Sequence, residues 1–195
     1  MSQRAVADPS VDRNSAMVLE EIARLDGIVE RLLYFARPMM LTIAPVDLCD
    51  LLRECAESRK MLIGNAGVSI RYEPAPTAIT IHGDGAKLRE VFDNLLSNAI
   101  QAVNGVGSVV LSSRVQDGFA CVECRDTGRG IPEDIRDKLF DPFFTTRTDG
   151  TGLGLSIAYE IVRAHNGTIS IAPAVTSGTV VTVRLPINGP AVIVS

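Results

Sequence analysis

One long amphipathic segment near the middle of the chain constrains the fold more than any other feature of the sequence. Residues 86–103 place apolar side chains at the three- and four-residue steps of an α-helix. These side chains are Leu88, Val91, Phe92, Leu95, Leu96 and Ile100. An apolar stripe of this width is stable only when it packs against another layer of the protein. The rest of the chain is therefore expected to supply that layer.

Segments that alternate apolar and polar residues lie on both sides of this helix and predict a β-sheet as the second layer. Six strands are predicted, at residues 68–72, 78–82, 108–115, 119–125, 168–171 and 179–185. Two more helices are predicted, at residues 46–62 and 153–165. Because strands and helices cluster without strict alternation, we predict an α+β fold, a two-layer sandwich with helices on one face of a mixed sheet.

Charge and composition argue against several classes of function. Lys and Arg total 19 against 23 for Asp and Glu, so the net charge of -4 gives no general reason to bind nucleic acid or an anionic membrane. No apolar run reaches the roughly 20 residues that cross a bilayer, and polar residues follow Met1, so a cytoplasmic chain without a membrane segment is expected. Cys121 and Cys124 should point to opposite faces of a strand, which argues against a shared metal site.

The N-terminal part of the chain predicts a separate element. Residues 1–14 have no apolar periodicity and are predicted to be a flexible leader. A helix is predicted over residues 15–40, with a heptad seam at Val18, Ile22, Leu25, Val29, Leu32 and Ala36. We favour a homodimer through Val18, Ile22, Leu25, Val29 and Leu32, and the alternative is a helix packed on its own domain. Residues 41–190 are predicted to form the main domain, followed by a tail at 191–195.

Asn94 and Asn98 lie four residues apart on the long predicted helix, so both amides project from the same side, one turn apart. An asparagine carbonyl is a neutral hard oxygen that suits Mg2+, an ion that keeps several waters and shares its remaining positions with nucleotide phosphates. Buried or capping asparagines explain most such pairs, so a structural role is the alternative.

The segment CRDTGRGIP places Asp126 at the end of a predicted strand, followed by Gly128 and Gly130. A carboxylate there can accept a hydrogen bond from the amino group of adenine, and the glycines let a base approach the backbone. The alternative is an Asp-Gly turn between two elements.

The segment DGTGLGLS places Gly150, Gly152 and Gly154 directly before a predicted helix. Free amides at the start of a helix, together with the positive end of its dipole, can bind phosphates. The spacing is not that of a P-loop, because no Gly-Lys-Ser follows, and it does not match G-x-G-x-x-G after a strand.

In this order, with LFDPFFTT between the two glycine segments, the three motifs resemble the Bergerat-type ATPase domain of the GHKL group, and specifically that of sensor histidine kinases. The resemblance covers residues 46–186, and the asparagine motif is most similar to that of nitrogen-regulation-type sensors. The preceding EEIARLDGIVERLLYFARP resembles the second helix of the dimerisation and phosphotransfer hairpin of those kinases. Residues 41–190 are accordingly expected to be the ATP-binding catalytic domain.

The resemblance implies roles for individual residues and implies ATP and Mg2+ as ligands. Asn98 would be the principal magnesium ligand and Asn94 a second polar group toward the phosphates. The adenine would be bound by Asp126, Gly128, Gly130 and, through water, Thr179. The phosphates would be bound by Gly150, Gly152, Gly154 and the adjoining Leu155. Phe143 and Phe144 would anchor a mobile lid over the nucleotide, and Arg147 would reach the γ-phosphate.

Two departures from the family pattern matter. Many sensor kinases have a basic residue and an aromatic residue where this chain has Gln101, Ala102 and Val103, so a phosphate contact is expected to be missing there. The related heat-shock and mismatch-repair ATPases have a glutamate base four residues before the metal asparagine, where this chain has Asn94. This difference argues against efficient attack by water and for phosphate transfer to a side chain.

The resemblance also implies a histidine acceptor and a response regulator receiver domain as partners. His82 is predicted to end a strand and His165 a helix, and both are expected to be structural. The acceptor is therefore expected on a hairpin helix that this chain lacks. Two alternatives stay open: a nucleotide-binding module that dimerises or regulates without kinase activity, and an anti-sigma-type serine kinase or simple ATPase.

Overall fold

The computed structural model describes residues 39–64, 67–103, 105–147 and 150–189. The predicted leader at 1–14, nearly all of the helix predicted at 15–40 with its heptad seam, and the tail at 191–195 lie outside the described residues.

The described part of the chain contains seven strands, three α-helices and one 3-10 helix. The strands are β1 (Ala44–Asp47), β2 (Val68–Glu73), β3 (Thr80–Gly83), β4 (Gly107–Gln116), β5 (Phe119–Asp126), β6 (Thr168–Pro173) and β7 (Thr179–Pro186). The α-helices are α1 (Leu48–Ile63), α2 (Gly85–Val103) and α3 (Gly154–Ala164), and the 3-10 helix spans Glu133–Lys138.

The main sheet has five strands in the order β2-β4-β5-β7-β6. β2 runs parallel to β4, and the other neighbours are antiparallel, so the sheet is mixed, as predicted. β1 and β3 form a separate antiparallel pair. β5 lies in the centre of the main sheet, which puts its last residue, Asp126, between β4 and the start of β7.

The two faces of the sheet differ in polarity, and the apolar face packs against the helices. Val109 and Leu111 of β4, and Val122 of β5, are buried on the inner face, where α2 contributes Phe92 and Leu96. The outer face carries charged residues, among them Arg114 and Glu123, whose Nη1 and Oε1 are 2.7 Å apart. This is the predicted α+β arrangement of two layers, in which alternation along each strand separates apolar from polar side chains.

Local chemistry sets the ends of α1. Asp47 precedes the helix, and its Oδ1 accepts a hydrogen bond from Asp50 N at 3.0 Å, which caps the first turn. Gly64 follows the helix with a φ of 51°, a conformation that glycine adopts without strain.

Two short elements were not predicted from the sequence, and the others lie within about two residues of their predicted bounds. Residues 44–47 form a strand that pairs with β3, so Pro45 lies opposite His82, whereas a helix was predicted to begin at residue 46. The 3-10 helix at Glu133–Lys138 was not predicted. β1 is four residues long, and its partner lies far along the chain, so local periodicity carries no signal for it.

The four cysteines are free thiols in buried positions, two on α1 and two on β5. Cys121 lies opposite Arg114 and Arg184, whereas Cys124 lies opposite Leu111 and Val181, so the two thiols point to opposite faces as predicted. Within the described ranges, no helix combines the length and the apolar character needed to span a bilayer.

Candidate functional site

Asp126 ends β5 and is only 4% exposed. Its Oδ1 accepts hydrogen bonds from Gly128 N at 2.8 Å and from Thr179 N at 3.3 Å. Three predicted site residues are therefore in direct contact, because β7 begins beside the end of β5. Among the described residues, no fully buried side-chain oxygen or nitrogen lacks a partner, so Oδ2 of Asp126, which accepts neither bond, must reach the surface.

Glycines allow the backbone to approach closely around this carboxylate. A Cβ built on Gly128 would lie 2.4 Å from Ala102 O, and one built on Gly178 would lie 2.0 Å from Asp126 O. Gly130 has a φ of 72° and packs near Gly178 O. The loop after β5 therefore lies directly on the last turn of α2, with room for glycine alone at these contacts. Gly178 was missed by sequence reasoning, although its place just before a strand was a usable signal.

Two buried aspartates in this domain have opposite electrostatics. Burial raises the pKa of Asp126, and the hydrogen bonds from Gly128 and Thr179 only partly oppose that rise. Burial also raises the pKa of Asp84, but hydrogen bonds from backbone amides, including those of Thr42 and Lys87, outweigh it and leave that pKa lowered. Asp84 is thus a fully partnered cap at the start of α2, whereas the charge of Asp126 is not fully compensated by the protein.

The second region of the site lies where α2 meets α3. Asn94 and Asn98 project from α2 one turn apart, and Asn98 is exposed. A Cβ built on Gly154, the first residue of α3, would lie 3.1 Å from Asn94 Oδ1. The asparagine motif and the last glycine of the glycine-rich segment are therefore in contact, with only the hydrogen of Gly154 between backbone and amide. Leu155 follows in the first turn of α3 and is partly exposed.

The two ends of the loop between Phe143 and Gly152 meet backbone to backbone. Phe143 has a φ of 67°, Gly152 has a φ of 66°, and a Cβ built on Gly152 would lie 2.4 Å from Phe143 C. A positive φ is rare for phenylalanine and costs backbone energy, so close packing has to hold it. The described residues 144–147 and 150–151 therefore leave and rejoin the domain at one point, and they belong to the segment that was predicted to be a lid.

Three phenylalanines lie at or just before the start of this loop, and their surroundings differ. The Phe143 side chain is 51% exposed, so Phe143 contributes through its backbone. The ring of Phe140 packs on Tyr159 of α3, with ring centroids 5.0 Å apart. Phe144 is partly exposed, and its amide donates to Asp141 O at 3.2 Å.

Arg147 lies in the lid and contacts α2. Its Nη1 donates to Oε1 of Gln101, which is in the last turn of that helix. Its backbone amide donates to Thr145 Oγ1 at 3.1 Å. Gly150 N donates to Arg147 O at 3.4 Å, so the glycine-rich segment begins directly beside this arginine.

The two histidines have different surroundings. His165 is 2% exposed, its Nε2 accepts from Asp84 N at 2.9 Å, and its Nδ1 is 2.8 Å from Ile161 O. Because Nε2 accepts, Nδ1 carries the proton, and the ring is held neutral with both nitrogens bonded. Burial lowers the pKa of His165, against the opposing effects of the Ile161 carbonyl and the Asp84 charge. His82 is exposed on β3, a strand of the domain itself.

The donors in this region suit a hard cation that shares its ligands with a phosphate. Within the described residues, no group of three His, Cys, Asp or Glu side chains could hold a metal ion alone. The amide oxygens of Asn94 and Asn98 are neutral oxygen ligands on one helix face, next to the glycine-lined start of α3. Such a set fits Mg2+ bound mainly by water and phosphate oxygens.

Comparisons with known proteins agree with this geometry. Residues 83–189 match the family described as "Histidine kinase-, DNA gyrase B-, and HSP90-like ATPase". The chain is 31% identical over 187 residues to the sensor histidine kinase ZraS of Escherichia coli (strain K12), covering 96% of this chain and 40% of ZraS. It spans about two fifths of the length of such curated relatives.

Two solved structures, one of them of the histidine kinase ThkA, are similar to this chain. Full-length ShkA in complex with AMPPNP has a TM-score of 0.80 and 28% identity, covering 96% of this chain and 41% of that one. ThkA in complex with the response regulator protein TrrA has a TM-score of 0.77 and 26% identity, covering 95% of this chain and 54% of that one.

Proposed function

Since this chain belongs to the histidine kinase-, DNA gyrase B- and HSP90-like ATPase family, we propose that it acts as the catalytic core of a two-component sensor kinase, transferring the γ-phosphate of Mg-ATP to a histidine. The observation that carries the proposal is the contact between Asn94 and Gly154, which brings the asparagine motif to the glycine-rich segment. A phosphate at the start of α3 then lies beside the amides of α2.

Adenine is recognised by Asp126 in this proposal. Oδ1 is occupied by the amides of Gly128 and Thr179, which leaves Oδ2 to accept from the adenine amino group. A donor at Oδ2 supplies the compensation that the buried charge lacks. Gly128 and Gly130 keep the base pocket open, and Thr179 lies close enough to reach the base through a water.

The phosphates lie at the start of α3, along the segment of Gly150, Gly152, Gly154 and Leu155, where the first turn of the helix supplies amides without a partner inside the helix. Asn98 is the principal Mg2+ ligand, and Asn94 holds a phosphate or a metal-bound water. When bound, Mg2+ would supply positive charge to compensate the phosphate oxygens. Phe144 covers the nucleotide as part of the lid, and Arg147 binds the γ-phosphate.

The acceptor and the partners follow from the same chemistry. Asn94 is a poor base, so water is not activated, and the phosphate goes to a histidine on a hairpin outside residues 41–190. The helix predicted at 15–40 serves as the second helix of such a hairpin, with Val18, Ile22, Leu25, Val29 and Leu32 as its dimer seam. The crystallised complex of the related ThkA with TrrA supports a response regulator receiver domain as the next partner. The proposed location is the cytoplasm, because ATP is available there and because the four cysteines are free thiols.

The test uses the 195-residue protein with Mg2+ and γ-labelled ATP, alone and with an added hairpin that carries an acceptor histidine. Acid-labile label on the hairpin alone is the expected result. Asn98→Ala serves as the inactive control, and His82→Ala identifies any label on the chain itself. Nucleotide binding without label anywhere would favour a regulatory module instead, and acid-stable label would favour a serine kinase.

A further inference from the structure

Gln101 continues the row of amide side chains on α2. It lies three residues after Asn98 and seven after Asn94, so the three side chains share one stripe of the helix. Its own side chain is exposed, beside the loop that follows β5, where Arg129 N donates to Ala102 O at 3.3 Å. This is also the position at which the chain lacks a basic residue.

The lid is tied to this end of α2 at two points. Arg147 Nη1 donates to Gln101 Oε1, and Arg129 Nη2 donates to Thr146 Oγ1 at 3.3 Å. The backbone of Arg129 is itself bonded to Ala102. Both side-chain contacts therefore connect the lid to the last turn of α2.

A tight turn presents the arginine. Thr145 Oγ1 accepts from Arg147 N at 3.1 Å, and a Cβ built on Gly150 would lie 2.4 Å from the same Oγ1. A side chain at position 150 would therefore push Thr145 Oγ1 out of this turn. Both the backbone and the guanidinium of Arg147 are thus held in place.

The chemistry of the partner determines what the contact can do. Gln101 Oε1 is a neutral acceptor, so it orients the guanidinium without neutralising its charge. A guanidinium has five N–H donors, so one bond to Gln101 leaves others for a phosphate. A carboxylate at position 101 would instead form an ion pair and compete with the phosphate for Arg147.

We propose that Gln101 is a positioning residue that holds Arg147 beside the asparagine row, so that the remaining guanidinium donors meet the γ-phosphate. This inference rests on the proposed function. A basic residue at position 101 would contact the phosphate directly. In this chain, Gln101 instead holds Arg147, and Arg147 makes the phosphate contact.

The first test compares the affinities of the 195-residue protein for Mg-ADP and for a non-hydrolysable Mg-ATP analogue by titration calorimetry. Gln101→Ala should weaken the analogue about threefold to tenfold, the size of one net hydrogen bond, and leave ADP unchanged because ADP has no γ-phosphate. Gln101→Glu should weaken the analogue further, and added salt should reduce that loss. Gln116→Ala is a matched control, since Gln116 Oε1 accepts from Arg114 Nε at 3.4 Å and should affect neither nucleotide.

The second test asks whether the two residues act as one unit. Arg147→Ala should show the same selective loss for the analogue, and the double variant with Gln101→Ala should bind the analogue no more weakly than Arg147→Ala alone. Losses that add in the double variant, or a Gln101→Ala variant that weakens ADP and the analogue equally, would overturn the positioning role.

The third test needs no nucleotide. Trypsin should cut after Arg147 several times faster in Gln101→Ala than in the wild type, because the released lid samples open conformations more often. Cuts after Arg136 and Lys138, in the 3-10 helix, are the internal reference and should not change. An unchanged rate after Arg147 would count against the contact itself. If the wild type binds neither nucleotide, the proposed function fails; if it prefers the analogue and Gln101→Ala keeps that preference, only the role of Gln101 fails.

Discussion

Asp126→Asn separates ligand recognition from folding at a single side chain. The asparagine carbonyl can take the place of Oδ1 and keep the bonds from Gly128 N and Thr179 N, which puts its NH2 group where Oδ2 was. A donor then faces the adenine amino group. Loss of a charged acceptor of this kind costs about 1–3 kcal/mol, so ATP should bind about 5- to 150-fold more weakly.

The same substitution should not destabilise the protein. Burial raises the pKa of Asp126 above its ordinary value of 3.8, so the folded state holds its proton more tightly than the unfolded state. Stability contributed by the protonated carboxyl is therefore present below pH 3.8 and lost as pH rises through the folded pKa. Asparagine carries no charge, so at pH 8 the variant should melt no lower than the wild type.

Titration calorimetry with Mg-ATP at pH 8 measures the affinity, and thermal unfolding without nucleotide measures the stability. Asp84→Asn is the matched control, because its NH2 group cannot accept from Thr42 N and the lowered pKa of Asp84 marks a stabilised charge. This control should melt lower and bind ATP normally below its melting temperature. Wild-type affinity in Asp126→Asn, or a loss of affinity together with a lower melting temperature, would refute the reasoning.

Three further substitutions test other parts of the site. Asn98→Ala should abolish most of the Mg2+ dependence of ATP binding in calorimetry without changing the melting temperature, and an unchanged Mg2+ response would exclude Asn98 as a ligand. Gly128→Ala should lower the free energy of unfolding in urea by about 1–3 kcal/mol, because its Cβ would meet Ala102 O, and a neutral effect would contradict that contact. His165→Gln should remove a pH dependence of stability. In the wild type, the stability contributed by neutral His165 should be fully present above pH 6.5 and should fall as pH drops toward the lowered pKa of His165. Melting temperatures measured from pH 8 to 5 should show this slope in the wild type and not in the variant.

The parts of the site that local sequence could predict are those with a helical or strand period. The four-residue spacing of Asn94 and Asn98 fixed their common face once a helix was predicted, and α2 forms within one residue of the predicted bounds. Alternation in β5 likewise put Cys121 and Cys124 on opposite faces. Such periods are properties of the helical or extended backbone, so they can be recognised in the sequence without knowledge of tertiary contacts.

The parts that escaped prediction are contacts between segments far apart in the chain. Arg147 and Gln101 are separated by 46 residues, and Asp84 and His165 by 81. Neither bond leaves a trace in local propensity, because each depends on how α2, α3 and the lid are packed. The contact of Phe140 with Tyr159 is of the same kind: LFDPFF offers three phenylalanines, and only tertiary packing selects Phe140 for the contact with α3.

The buried thiols can report how fast each part of the domain opens, because a thiol reacts only when it is exposed. Burial raises the pKa of Cys55 to about 11 and that of Cys124 to about 12, so almost no reactive thiolate exists at neutral pH while the protein is closed. An alkylating reagent can therefore label each thiol only as fast as its own element opens. Labelling of Cys55 reports the opening of α1, and labelling of Cys124 reports the exposure of β5, the central strand that ends at Asp126. Nucleotide that binds at Asp126 should slow labelling at Cys124 more than at Cys55, because it would stabilise the closed state of β5 more than that of α1.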